Sequence, residues 1–311
     1  MKLASTTGDF RGYAKSTADA VRFYEGTGFR HLDYSFYNVI HEGSPFLGDH
    51  WLDEVEEAGR EAERLGFDFV QAHSPSYNPL DPKADHETGM LATIRSIEAC
   101  GRLGIRNTVV HSGISKDLRY SDDRDEYFRL NREFYRALFP AMEKWNVNVL
   151  IENSAEANMG QSYFFMTGQE MRDFADYVGH PLLHCDWDIG HANMRGTDQR
   201  EEILAMGDHL RALHIQDNFG ACDEHIAPFM GTTDLDAVMQ GLIEVGYKGY
   251  FTFETDNMLL CFGRWPHKRR QAPSVTERRL AAPPLDLRRK AAALLYEIGR
   301  AILSAYDCFE E

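Results

Sequence analysis

The feature that most restricts this sequence is an alternation, kept from end to end, of short apolar runs and longer amphipathic ones. The short runs are Lys2–Thr6, Phe29–Tyr34, Phe67–Ala72, Asn107–His111, Val147–Glu152, Pro181–Asp188, Leu210–Ile215 and Tyr250–Glu254. Between them the pattern is helical. Over Glu126–Trp145 the residues Tyr127, Leu130, Phe134, Leu138 and Met142 recur at spacings of three and four, which collects them on one helical face. Similar segments cover about 15–27, 50–65, 87–103, 168–178, 198–207, 234–245 and 287–306. The helix near 234 has Thr233 or Asp234 as its N-cap and Gly246 past its end. Near-continuous apolar strands separated by helices predict a parallel sheet covered on both faces. Eight such units in 311 residues predict an α/β chain closed into a single (β/α)8 TIM barrel over residues 1–311, rather than an open doubly wound sheet. No GxGxxG follows the first run and no GxxxxGK[ST] occurs, which weakens a nucleotide-binding sheet.

Charge and cysteine narrow the function classes. Lys and Arg number 33 against 49 Asp and Glu, a net charge of −16, the wrong sign for a dedicated nucleic-acid binder. The balance is uneven: residues 262–290 hold nine Lys/Arg and two acidic residues, so the rest of the chain stands at −23. The five cysteines are scattered and never spaced as CxxC, so neither a disulfide framework nor a zinc knuckle is expected. No apolar run approaches the ~18 residues of a membrane span and the N-terminus has no apolar core of a leader; a cytoplasmic protein with no membrane partner is expected. One connection breaks the short-loop rule. Residues 255–286, between the last strand and the last helix, form a long loop rich in Arg and Pro, and loops of that length in compact domains are functional or disordered. It is read as a solvated arm or inter-subunit contact, or as a lid whose Arg269 and Arg270 reach a phosphate or carboxylate.

Active sites of such barrels form at the C-terminal ends of the strands. Six successive strand ends carry His73, His111, Glu152, Asp188 with His191, His214, and Glu254. Parallel strands converge these tips on one centre. Carboxylates gathered at an apolar mouth repel one another and lose hydration unless something neutralises them, so a divalent cation is expected. Carboxylates with imidazole and without Cys suit Mn²⁺, Co²⁺, Mg²⁺ or Zn²⁺.

The strings LIEN (150–153), DIGHAN (188–193), LHIQD (213–217) with DEH (223–225), and FTFET (251–255), in that order, resemble the xylose-isomerase-like barrel superfamily of sugar phosphate isomerases and epimerases, to which the endonuclease IV branch is related. The resemblance implies that Glu152, Asp188, His214 and Glu254 ligate one divalent metal ion, Mn²⁺ in the first instance. Asp186 competes on the same strand, but the D-x-x-H spacing selects Asp188. It further implies that His191 touches substrate oxygens and that His73, His111, Asp223 and His225 line the substrate pocket. Glu152 and Glu254 would be the catalytic pair of a sugar, keto-sugar or sugar phosphate isomerase or epimerase, which removes a proton beside a carbonyl polarised by the metal and passes through an enediolate. The same first step serves lyases and dehydratases acting on keto-sugars, keto-inositols or 3-keto-glycosides. In the endonuclease IV branch, His73, His111, Asp223 and His225 would instead complete a three-zinc phosphodiesterase site, a reading opposed by the acidic body of the chain. Ketohexose 3-epimerases carry an Arg shortly after the strand-seven His; here residues 216–224 read QDNFGACDE, which points away from a free ketohexose. Phe36, Tyr37, Trp187 and Phe219 stand near strand ends where a ring could stack on a sugar or aglycone. A homodimer or homotetramer is the family's implication for assembly.

Overall fold

The computed structural model describes residues 1–259, 274, 276–277, 279–280 and 282–311. Eight parallel strands form its centre: β1 (Lys2–Thr6), β2 (His31–Ser35), β3 (Asp68–His73), β4 (Asn107–Val109), β5 (Asn148–Glu152), β6 (Leu183–Asp188), β7 (Leu210–His214) and β8 (Tyr250–Phe253). Each pairs in parallel with its sequence neighbour from β1 to β7, and β8 pairs with β1. Between β7 and β8 the ladder narrows to Ile215 beside Phe253; the Ile215 amide donates to the Thr252 carbonyl and the Glu254 amide to that of Ile215. The barrel is thereby nearly closed.

The helices that alternate with the strands are α1 (Thr17–Phe23), α2 (Trp51–Leu65), α3 (His86–Leu103), α4 (Arg124–Trp145), α5 (Glu156–Met159), α6 (Gly168–Val178), α7 (Ile189–Arg195), α8 (Gln199–Met206), α9 (Leu235–Glu244) and α10 (Leu285–Ala305). Local chemistry sets their ends. Thr167 and Glu170 make a reciprocal capping box on α6, and Asp234, as expected, caps α9 by accepting from the Ala237 amide. On the amphipathic face of α4, Tyr127, Phe134, Leu138 and Met142 are buried and Leu130 packs against the core. Helices α5 and α7 are absent from the sequence reading. Both are short pieces at strand ends, too brief for a helical period to register.

Two cores result. A large one fills the space between sheet and helices, and includes Val149, Ile151, Cys185, Trp187 and Leu213. A small one, Val109, Leu150 and Ala212, plugs the barrel interior. Strand residues alternate between the two, so Glu152, Asp186, Asp188 and His214 follow the inward set above the plug. Phe36 and Trp187, considered as rings for sugar stacking, are fully buried in the outer core and cannot serve. Among the described residues no helix is long and apolar enough to cross a membrane. Arg264, Arg269 and Arg270, on which the lid reading rests, lie outside the described residues.

Candidate metal centre

Glu152, Asp188, His214 and Glu254 present one ligand atom each, and these four atoms lie within 4.8 Å of one another. Register explains the convergence. Asp188 stands opposite His214 across β6 and β7, and Glu152 opposite Asp186 across β5 and β6. Glu254 follows the last residue of β8 and is held at its amide by Ile215. Asp188 is also the N-cap of α7: its Oδ1 accepts the amide of His191 at 2.7 Å. The D-x-x-H spacing is thus a helix cap, which spends one carboxylate oxygen on the backbone and brings the imidazole three residues on to the same centre. Gly190 between them leaves room for the Gln216 amide, since a Cβ there would sit 2.1 Å from it and displace Gln216 from Asp188 and Asp223. Asn153 fixes the Asp188 main chain from both sides, accepting from its amide and donating to its carbonyl.

Two further groups flank the four. His111 Nε2 lies 2.6 Å from Glu152 Oε2 and 3.2 Å from His73 Nε2, so His73, His111 and Glu152 form a second set of converging ligand atoms. Tyr37 packs edge-on against His73 and Phe164 edge-on against His111. His191, Asp223 and His225 form a third set. Asp223 Oδ2 accepts from His191 at 3.1 Å and from the Asn158 amide group of α5 at 3.0 Å, and its Oδ1 lies 3.1 Å from His225. The backbone of His225 is left-handed, at φ 48°, a cost a non-glycine residue bears where its surroundings dictate the conformation. Glu152 belongs to two of the three sets.

The carboxylates fall into two electrostatic kinds. Burial works against charge on Glu152, but His214 and His111 outweigh it and hold its carboxyl well below the usual range. Burial pushes Glu254 up to about 7, with His214 and His225 pulling the other way. Burial likewise raises Asp188, against His191, and raises Asp186 well above normal, against His214. Among the imidazoles, burial opposes charge on His214, yet Asp186, Glu254 and Glu152 lift it well above the ordinary value.

The residues fit a cation. Asp188 Oδ2, both oxygens of Asp186 and His191 Nδ1 are buried without a hydrogen-bond partner, and leaving such groups unsatisfied is costly. The four-residue set offers three carboxylates and one imidazole, the oxygen and nitrogen donors that ions of this class take. Asp186 is not in that set. Its Oδ2 is 3.2 Å from His214 Nδ1, but the hydrogen bond of that nitrogen goes to Glu152 at 2.8 Å, so Asp186 lies one step deeper on the inward face.

All the expected site residues, His73, His111, Glu152, Asp188, His191, His214, Asp223, His225 and Glu254, are thus drawn into these three sets. The sequence reading had no role for three others. Gln216 donates to Asp188 Oδ1 and Asp223 Oδ1. Asp217 accepts from the amides of Asn218, Gly231 and Thr233, pinning the loop that carries Asp223 and His225. Asn153 fixes Asp188 as described. Each sits inside or beside a quoted motif, which was the available signal. A fourth, Asp33 on β2, is fully buried and bonded to Thr6, and only the strand's inward period points to it.

A family model described as xylose isomerase-like TIM barrel matches residues 27–279. Among curated proteins, y4fM of Sinorhizobium fredii, uncharacterized, is 29% identical over 171 residues, 54% of this chain and 53% of its own length, so the chain matches about half of that relative. Fructoselysine 3-epimerase of Escherichia coli O157:H7 is 44% identical over 66 residues, 20% of this chain and 24% of that protein. Among solved structures, a D-tagatose 3-epimerase-like protein superposes with a TM-score of 0.71 at 18% identity, covering 99% of this chain and 98% of its own. The 3-keto-D-glucoside 4-epimerase YcjR from E. coli gives 0.67 at 16%, covering 96% and 99%. An AP endonuclease of family 2 from Brucella melitensis gives 0.64 at 18%, covering 83% and 93%. At those identities the superpositions speak for the fold. Barrel, ordered motifs and family match together place this chain in the xylose isomerase-like TIM barrel family.

Proposed function

We propose that this chain is a divalent-cation-dependent isomerase or epimerase of a sugar, keto-sugar or sugar phosphate, with Glu152, Asp188, His214 and Glu254 holding one ion, Mn²⁺ in the first instance. The observation that carries this reading is the convergence at the barrel mouth of four ligand atoms, one each from Glu152, Asp188, His214 and Glu254, within 4.8 Å of one another. A bound divalent cation supplies Lewis acidity toward the oxygens beside the reacting carbon. Glu152 takes the carbon-bound proton at a carboxylate oxygen, and Glu254 returns one, to the opposite face for epimerisation or to the neighbouring carbon for isomerisation. His191, His73, His111, Asp223 and His225 orient the hydroxyls. The names of two superposed epimerases and of the fructoselysine 3-epimerase support a sugar with a carbonyl beside a carbon-bound proton.

The test is solvent exchange. Protein loaded with Mn²⁺ is incubated in D₂O with ketoses, inososes, sugar phosphates and 3-keto-glycosides, and loss of C–H signal is followed by NMR. Exchange is expected with at least one class and is expected to fall ~10²–10⁴-fold in Glu254→Gln. Exchange with none of them sinks the reading.

One observation favours a second reading, phosphodiester hydrolysis at a three-zinc centre: the two flanking ligand sets adjoin the first, one through the shared Glu152. Elemental analysis separates the two. One ion per chain supports the isomerase, and three zinc ions with cleavage of a phosphodiester support the hydrolase.

A further inference from the structure

The metal centre leaves unused the only buried Lys or Arg among the described residues. Arg288, in the first turn of α10, is 2% exposed, although the sequence places it in a basic stretch that reads as solvated. Its guanidinium faces the segment that follows Glu254. Nη1 donates to the Met258 carbonyl, and Nη2 donates to the carbonyls of Thr255 at 3.2 Å and Asp256 at 3.5 Å. Nε donates to the Asp9 carbonyl at 2.7 Å, and the Asp9 carboxylate lies 3.3 Å from Nη2. Asp9 in turn accepts from Ser5 and Tyr24.

Three consecutive facts give this fork a task. The turn 255–258 is buried at Thr255, Asn257 and Met258, so its carbonyls need internal donors. One planar guanidinium satisfies three of them, which a lysine ammonium on a flexible stem cannot reproduce. The turn leads directly from Glu254, whose amide is tied to Ile215 and whose carbonyl accepts from His225. The stretch after β1 docks the same region twice more, through Arg11 to Asp256 at 2.7 Å and Tyr13 to the Pro283 carbonyl at 2.6 Å. Both ends of the long β8–α10 connection are thereby bolted to residues 9–13 at the seam where β8 meets β1.

We infer that Arg288 is a positioning residue: it fixes the main chain at Glu254 by clamping the turn 255–258 to α10. For the cation centre this rests on the reading of Glu254 as a ligand. Supporting groups of this kind change metal affinity by about 10–100-fold when removed. The neighbour Arg289 is an internal control, since it anchors the same helix to the carbonyls of Phe23 and Glu25, away from the centre.

EDTA-stripped wild type, Arg288→Met and Arg289→Met are titrated with Co²⁺ by calorimetry, and amide hydrogen exchange is read over residues 254–258. Arg288→Met is expected to bind Co²⁺ about 10–100-fold more weakly and to exchange the Glu254 and Met258 amides at least ~10-fold faster, with Arg289→Met close to wild type in both. Should Arg288→Met fail to fold, Arg288→Lys, which keeps a charge opposite Asp9 without the fork, is expected to show the same two changes. Unchanged exchange over 254–258 in the folded Arg288 variant, or equal changes in Arg289→Met, overturns the inference. If wild type binds no Co²⁺, the ligand reading of Glu254 fails by itself, and the exchange comparison still decides whether Arg288 holds its main chain.

Discussion

The two ends of the barrel use the same side chain in opposite ways. At the foot, burial lowers His31, and burial, Arg211 and His209 lower His184 to about 4. At the mouth, burial acts in the same direction and with His111 lowers His73 to about 3, yet His191 is lifted to about 10 by Asp188 and Asp223, and His225 well above its ordinary value by Asp223 and Glu254. Desolvation is common to both ends; the buried carboxylates that lift His191 and His225 are not, since Asp68 beside His31 is exposed. The foot also has a cavity without the chemistry. A cavity of about 650 Å³ there is lined by Phe67, Phe69, Leu103, Arg106 and Tyr250, a set with no converging ligands. What makes the mouth a candidate site is the crowding of acids and imidazoles whose ligand atoms converge, and neither burial nor volume alone would identify it.

The sharpest way to break this contrast is Glu152→Gln, which removes the acid shared by two ligand sets. Solvent exchange should fall on the order of 10²–10⁴-fold, with cation content by elemental analysis dropping below that of wild type; retention of both would show that the mouth is not organised around Glu152. Next in size, Asp223→Asn takes the common partner from His191 and His225 and should weaken substrate use about 10–100-fold, read as kcat/KM. Because His191 then loses its second acid, its imidazole should titrate at lower pH by NMR; an unmoved ring would remove Asp223 from the contrast.

A third substitution acts on stability. Burial pushes Asp33 up to about 6 from a usual 3.8, with His214 pulling the other way. Below about pH 4 the carboxyl is protonated folded and unfolded and contributes nothing. Between these values the folded chain holds the extra proton, so stability falls as pH rises, and the cost is complete above the folded value. Asp33→Asn should therefore raise the unfolding free energy of EDTA-stripped protein by roughly 1–3 kcal/mol at pH 7.5, a gain that vanishes near pH 4 in urea titrations. Smallest of all, His184→Gln at the foot should leave kcat/KM within about threefold and cost under about 1 kcal/mol; a large loss of turnover would erase the distinction between the ends.

Much of this was legible before any coordinates. All eight strands lie within two residues of the runs read from the sequence, because burial on both faces of a parallel sheet writes itself as an uninterrupted apolar run. Seven ligand-type residues follow from strand ends, since parallel strands must bring those ends together, and Asp223 and His225 follow only from the family resemblance. Other features had no local signal. Phe36 and Trp187 stand beside strand ends like Tyr37, yet the two-residue alternation of side chains turns Trp187 into the outer core, and the packing of Tyr34 and Phe46 on Phe36 does the same there. Asp186 and Asp188 share one strand face, and only the cap of α7 with the register to His214 shows which of them meets the other ligands.

The amino-acid sequence by itself determined the barrel, the rim that carries chemistry and the residue types on that rim, because these follow from periodicity and from strand direction. The tertiary structure alone decided which atoms converge, which carboxylates burial raises and which its imidazole partners lower, and that Arg288 is buried and not a surface charge. Those outcomes depend on distances between residues far apart in the chain, and charge, desolvation and hydrogen bonding change over a few ångströms that no spacing in sequence records.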